Sequence, residues 1–521
     1  MHSLLGRRLA PAIGLITLGL VISVLGLGIP PASADEPIAP APTAPVAEPV
    51  TEPAVPAESS EAASAALSEV QEILEHGETP GRDMTMALRD LRLRQAELSS
   101  TDRRVARRVL RRPLPDTAPY ADFGRVRVHW PAKDRAVTPE WINFVGTTSQ
   151  QVLATYAAAG YRMPKSDGRR GGSKQIDIYV IDLDPGLYGY CDTDLQPPDR
   201  GPYDMPAFCA FDNDYVGFPG GPQETLQVTA AHELFHAIQF AYDYEEDRWF
   251  LEATATWAED ELFTDVNDNL QYLAQSPLSQ PRQSLDQFNY GGSRQYGEWI
   301  FFRYLTERFS EEVGGMPVIM LRLLERIDGS AGKRDLYSMQ AIKRELKARG
   351  TSLRQVYADF ADANRRPKAT YAEGASYRTA GPSSSFQLSA RRPDTGRKTM
   401  RINHLASATA RFKPGAGLGE AARLRIRVDL PKRNAAAVVS VYRTDGTVKT
   451  KTVRVDRGGD GGLTVRFDHA TVSHVEATLV NTSTRYRCWQ GPQGRAEVLY
   501  SCRGKPLDQQ MPLSFRARAI S

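Results

Sequence analysis

From Glu224 to Tyr244 apolar residues fall at Leu226, Ala230, Leu234, Ala237, Ile238 and Ala241, and neither Pro nor Gly interrupts the run. That spacing predicts an amphipathic helix. Upstream, the pattern shifts between periods. Ala66–Leu74 and Met84–Leu98 read as helices with Pro80-Gly81 between them. Gly124–Trp130 alternates like a strand, Pro139–Gly160 is helix-like, Gln175–Leu183 is a strong strand, and Ala210–Gly217 is another. Downstream, Glu298–Arg308, Met316–Ile327, Asp335–Arg349 and Ser352–Asn364 continue the helical period. Near Ala380 it stops. Short alternating runs follow at Leu424–Asp429, Ala437–Tyr442, Thr447–Val455, Leu463–Phe467 and Val475–Leu479, separated by turns such as Asp445-Gly446. The expected fold class is therefore α+β: a mixed sheet with helices and a helical C-terminal subdomain, then an antiparallel β-sandwich over 381–521.

Composition adds a compartment. Arg7 and Arg8 precede an apolar run from Leu9 to Gly28, and Ala32-Ser33-Ala34 follows as an A-x-A site. Residues 1–34 thus read as a secretory signal peptide, cleaved after Ala34, and the protein is expected to be secreted. No later stretch is long and apolar enough to span a bilayer. Residues 35–60 are Pro-, Ala- and Glu-rich, a linker with too little apolar content to fold. Residues 61–115 read as a helical prosegment or N-terminal helical region, ending in the basic pairs of Arg103–Arg112. The four cysteines suit export. They allow three connectivities, of which the local one, Cys191–Cys209 and Cys488–Cys502, is the economical choice. A net charge of +3 does not point to nucleic acid, and no aromatic-basic platform is present.

Candidate chemistry sits on the 224–244 helix. His232, Glu233 and His236 form an H-E-x-x-H. Residues at i and i+4 share a helix face, so both imidazoles can reach one metal ion, and Glu233 stands where a base could take a proton from water. A catalytic zinc site normally has three protein ligands, so a third is needed. Gln239 and Tyr242 stand where the metzincin pattern requires Gly and His, which removes that option. A serine hydrolase has little support, since no G-x-S-x-G occurs. Asp182, Asp184, Asp212 and Asp214, and separately Asp265, Asn267 and Asp268, are candidate calcium ligands, but neither group matches an EF-hand and solvated loops are the preferred reading.

The segments Val228–Asp243, Arg248–Asp260 and Asp177–Cys191 resemble secreted bacterial metallopeptidases of the gluzincin type, near the hyicolysin-like peptidases. The resemblance covers roughly 116–364 and implies a zincin-like catalytic domain, here bounded as 116–380. It implies that His232, His236 and Glu252 bind Zn2+, Glu252 standing in a W-x-x-E-x-x-A segment, with Glu259 in reserve. Thr256 and Glu259 would otherwise orient a histidine ring. Glu233 would be the general base and Tyr296 an oxyanion donor. The implied function is a zinc-dependent peptidase acting on protein or peptide substrates. Exopeptidase motifs are not recognisable, which favours an endopeptidase. The competing reading is a secreted binding or adhesion protein that keeps the fold without activity.

Overall fold

The computed structural model describes residues 57–76, 84–183, 186–491 and 498–520. The expected signal peptide and most of the linker lie outside the described residues, as does Asp184. Three helices come first: α1 (Ala57–His76), α2 (Thr85–Arg94) and α3 (Ser100–Val109). The first sheet then assembles from β1 (Tyr120–Phe123), β2 (Val126–His129), β3 (Ile176–Ile181), β4 (Gly189–Asp192) and β5 (Phe208–Asp212), with α4 (Pro139–Ala158) between β2 and β3. Its order is β1-β2-β3-β5-β4. The three inner strands run parallel, while β1 and β4 pair antiparallel at the two edges.

Alternation divides this sheet cleanly. Val126, Val128, Ile178, Val180, Cys209 and Phe211 belong to the core shared with α4 and with α5 (Pro222–Phe240). Tyr179, Tyr190, Phe208 and Ala210 face the other way, onto Leu67, Val70, Leu88 and Leu91 of α1 and α2. A parallel-cored sheet needs both faces covered. The N-terminal helices cover one of them.

Helix α5 begins at Pro222, where the fixed φ of proline suits the first turn, and Glu224 Oε2 accepts the Gly221 N–H at 3.3 Å. It ends at Phe240 rather than Tyr244. Past that point the chain pairs with the segment before β5, Met205 N–H donating to Phe240 O (2.7 Å) and Tyr244 N–H to Tyr203 O (2.9 Å). Next come α6 (Arg248–Leu262), the four-residue α7 (Arg294–Gly297) and α8 (Trp299–Arg308). A small ladder of β6 (Glu312–Val313) and β7 (Met316–Pro317) leads into α9 (Val318–Arg326), α10 (Ser338–Ala348) and α11 (Leu353–Ala363).

The remaining strands are β8 (Ser384–Leu388), β9 (Lys398–Ile402), β10 (Ala406–Pro414), β11 (Arg423–Asp429), β12 (Ala435–Arg443), β13 (Val448–Thr452), β14 (Asp460–Arg466), β15 (Val472–Asn481), β16 (Tyr486–Arg487), β17 (Lys505–Pro506) and β18 (Met511–Ile520). They form a five-stranded sheet, β13-β12-β15-β10-β8, a four-stranded sheet, β14-β11-β18-β9, and the short pair β16-β17. One apolar core joins the two larger sheets: Ala437, Val439, Ala477 and Phe412 from one meet Leu424, Ile426, Phe515 and Ala517 from the other. The pairing is not antiparallel throughout, because β8 runs parallel to β10. The chain crosses to the other sheet as β9 before returning as β10, so no hairpin can join those neighbours. The outer face of β12 packs on α11, where Ser440 donates to Asp362. All described elements belong to the compact unit Val55–Ser521, and the expected divisions at 115/116 and 380/381 fall inside it.

Candidate metal centre

Two helices build the site. Helix α5 carries His232, Glu233 and His236 one turn apart, and α6 packs beside it with Glu252 and Glu259. Nε2 of His232 lies 3.1 Å from Nε2 of His236. Glu252 Oε2 lies 3.3 Å from the first and 3.6 Å from the second. Among the described residues, these three form a group whose ligand atoms all lie within 4.8 Å of one another. Metal–nitrogen bonds of about 2.0–2.1 Å at tetrahedral angles would separate ligand atoms by roughly 3.3–3.4 Å. The observed triangle is close to one face of such a tetrahedron.

Hydrogen bonds fix which imidazole nitrogens carry protons. Gln239 donates through Nε2 to Leu251 O (2.9 Å) and Thr254 Oγ1 (2.8 Å), so its Oε1 is the atom turned to His236 Nδ1 at 2.7 Å. Glu259 Oε1 faces His232 Nδ1 at 2.6 Å. A carboxylate and an amide oxygen only accept, so both Nδ1 atoms donate, and in the neutral rings both Nε2 atoms turn lone pairs inward. Glu252 Oε2 is buried with no hydrogen-bond partner. Two lone pairs and a carboxylate oxygen thus converge, an arrangement that repels itself unless positive charge sits among them. Imidazole and carboxylate donors with acceptors behind the rings suit a divalent transition metal. The group could bind a metal.

Of the other residues singled out by sequence, Tyr296 lies on α7, 2 % exposed, its ring centroid 6.1 Å from that of His232 and 5.0 Å from that of Tyr272. The Thr256 hydroxyl is buried without a hydrogen-bond partner. The ring behind His236 is set by Gln239 instead, a residue that sequence reasoning missed, although its place three residues after a ligand on the same helix was a usable signal. Both disulfides join the local partners, Cys191–Cys209 and Cys488–Cys502. The Asp212 carboxylate accepts the backbone N–H groups of Leu183, Asp214 and Tyr215, as a loop cap does. Asp268 accepts from Tyr188 and Gln271.

Solvent does not reach the centre: His232, Glu233 and Glu252 are each 1 % exposed and His236 0 %. Strand β4 lies directly on α5. A Cβ on Gly189 would come within 3.2 Å of Glu233 Cγ and 2.9 Å of Ala210 O, so only glycine allows that approach. From the opposite side comes α2. Its Thr85 hydroxyl donates to Glu233 Oε2 (3.3 Å) and accepts the Cys191 N–H (3.0 Å). Asp90 on the same helix pairs with Arg248 at 2.5 Å. Burial pushes the Asp90 carboxyl up, but the Arg248 and Arg89 charges outweigh it and hold it below the usual range. Burial brings the Arg248 guanidinium down to about 10.

A second constellation has the members of a hydrolase triad. Ser284 Oγ meets His404 Nδ1 at 3.1 Å, and His404 Nε2 meets Asp286 Oδ1 at 2.7 Å. The ring nitrogens are exchanged relative to a serine hydrolase, and Asp286 also accepts from Tyr486 and the Ser501 N–H. All three residues are at most 1 % exposed, so the group serves as a buried tie between chain segments.

No described helix is long and apolar enough to cross a membrane. No family model matches the chain, and no curated protein matches it. Among solved structures the chain is similar to CorA, a surface-associated copper-binding protein important in copper acquisition by Methylomicrobium album BG8, at 8 % identity and a TM-score of 0.15 over 26 % of this chain and 97 % of that one. A likeness that slight carries neither fold nor function to this protein.

Proposed function

We propose that the protein is a secreted zinc-dependent peptidase of the gluzincin type, related to the hyicolysin-like enzymes. In this reading residues 116–380 make a zincin-like catalytic domain and 381–521 an accessory β-sandwich. The observation that carries it is the convergence of His232 Nε2, His236 Nε2 and Glu252 Oε2, with both Nδ1 atoms bonded to acceptors. The mixed sheet with an antiparallel edge strand beside the H-E-x-x-H helix supports it too, because an extended peptide can add to such an edge.

His232, His236 and Glu252 would hold the zinc. When bound, zinc would polarise the scissile carbonyl and bring the pKa of water towards about 7. Glu233, next to the first ligand, takes the proton from the attacking water and later delivers it to the leaving amine. Tyr296 donates its phenol to the developing oxyanion. Glu259 and Gln239 keep the two rings in the binding tautomer.

The test is elemental analysis of purified protein together with chelator-sensitive cleavage of casein. A stoichiometric zinc and cleavage abolished by chelation are expected. Zinc without cleavage, under any treatment that exposes the centre, would leave the binding-protein reading ahead; its support is the burial of all four residues.

A further inference from the structure

Strand β4 is an edge of its sheet. Cys191 lies opposite Cys209 with Cα atoms 4.1 Å apart, the spacing of a pair that exchanges no backbone hydrogen bonds. The Cys191 N–H therefore points away from β5, towards the open edge. What it meets there is Thr85 Oγ1, and the same hydroxyl reaches Glu233 Oε2. Helix α2 thus stands where an extended substrate would meet both the sheet edge and the general base.

The surfaces on either side of α2 receive its basic side chains. Arg92 forks onto Asp192, the residue after Cys191 on β4, through Nε to Oδ1 (3.0 Å) and Nη2 to Oδ2 (2.6 Å). Arg89 Nη1 donates to the carbonyls of Tyr244 (3.2 Å) and Glu246 (2.7 Å), between α5 and α6. Both arginines are buried, and so is Asp192, 1 % exposed. Burial and neighbouring carboxylates raise the pKa of Glu246 and Asp243, and at Asp243 the Arg89 charge offsets only part of that. Were α2 to move aside, Asp192 would keep the Tyr244 hydroxyl (3.3 Å) and lose its cation. A buried carboxylate left that way demands another.

We propose that α2 occupies the substrate cleft as an internal mimic, and that Asp192 is the specificity-determining residue of a subsite for arginine or lysine side chains. This rests on the peptidase reading and deepens it to a substrate class, basic peptides.

The experiment uses the full chain loaded with zinc. Two internally quenched peptides, identical except for arginine or norleucine at one position, are compared in wild type, Arg92→Met and Arg92→Met/Asp192→Asn. Arg92→Met should turn over the arginine peptide at least tenfold faster than wild type and prefer it at least tenfold by kcat/KM, with agmatine competing. Adding Asp192→Asn should bring the preference below threefold. Where the Met variant does not fold, Arg92→Lys weakens the pair without stranding the carboxylate, and the same ratios are read. A preference that survives Asp192→Asn, or no acceleration in any Arg92 variant, overturns the subsite while cleavage itself upholds the peptidase. If no variant cleaves either peptide or casein with zinc bound, both readings fall.

Discussion

Glu252 and Glu259 sit two turns apart on α6, and the centre assigns them different work that metal affinity can separate. Glu252 Oε2 points at both Nε2 atoms, at 3.3 and 3.6 Å, while Glu259 Oε1 stands behind His232 at Nδ1, 2.6 Å away. Zinc binding of about 10–16 kcal/mol spread over four ligands is roughly 2.5–4 kcal/mol each, so Glu252→Ala should weaken affinity by about two to three orders of magnitude. Glu252→Gln should recover little, because a neutral amide oxygen replaces a carboxylate. Glu259→Ala removes no donor atom but strands a buried N–H, and loss of such an outer partner costs about 10- to 100-fold. Glu259→Gln should return near wild type, since its amide oxygen can accept the same proton. The assay is competition for zinc against a chromophoric chelator near neutral pH, on folded protein checked by circular dichroism. If Glu259→Ala loses as much as Glu252→Ala, or if Glu259→Gln rescues nothing, the assignment of roles is wrong.

Glu233→Gln should retain zinc with turnover of casein nearly abolished; wild-type rates in that variant would remove Glu233 as the base. Gly189→Ala should destabilise the protein by roughly 1–3 kcal/mol in urea titration and lower turnover, because its Cβ would press on Glu233 and on the Ala210 carbonyl. A neutral result would mean that β4 does not lie so closely on α5. Arg365 bonds Glu476 through both arms, at 3.0 and 3.1 Å, tying the α11 end to β15. Burial pushes the Glu476 carboxyl up, yet Arg365 and Arg411 outweigh it and hold it below its usual value of 4.5. A depressed folded pKa means that the unfolded chain takes up the proton first, so this stabilisation is complete above about pH 4.5 and is lost as pH falls below it. Arg365→Met should cost roughly 1.5–3 kcal/mol at neutral pH, since Arg411 still pairs Glu476, with the deficit shrinking in acid. An acid-insensitive deficit in urea midpoints would contradict the pairing.

The legible parts of this chain are those where one physical signal dominates. The helix carrying His232 and His236 is read from its period, and β3 from a run of Ile, Tyr and Val broken only by Asp177. The strand nearest the chemistry escaped notice. Its four residues, Gly189–Asp192, stand in a Pro- and Asp-rich stretch, and they are strand because the disulfide and α5 hold them, not because of propensity. Strands β8, β9, β10 and β18 were also missed. In β10 the inward positions include Ala406, Ala408 and Ala410, whose small side chains give little alternation to read. Glu252 was reachable because its motif is local. Gln239 was reachable only by position, three residues after His236, because the direction of its amide depends on Leu251 and Thr254.

The N-terminal helices bear on how the centre could open. Four side chains on α1 and α2, Leu67, Val70, Leu88 and Leu91, are buried against Tyr179, Tyr190 and Phe208 of the sheet. At about 1.5–3 kcal/mol for each such side chain, that face holds the layer with roughly 6–12 kcal/mol, an upper estimate since the unfolded chain is itself partly compact. Beyond α3, Arg112 adds ion pairs to Asp177 (2.5 Å) and Asp194 (2.7 Å). Arg104, Arg107, Arg108 and Arg111, by contrast, are exposed, a solvated basic face open to a cutting protease. A cut there breaks one covalent link and none of the buried contacts, so the layer would stay docked. The contacts specific to the cleft are fewer: Thr85 with Glu233 and Cys191, Arg92 with Asp192, and Arg89 with two carbonyls. These are polar, and a basic peptide can replace them with its own backbone N–H groups, a carbonyl oxygen for the Cys191 N–H, and its guanidinium. Displacement of α2 along the edge of β4, with α1 and α3 left in place, gives up Leu88 and Leu91 but keeps Leu67 and Val70, about half the apolar cost of shedding the layer, and under the proposed reading it is the less costly route to the buried centre.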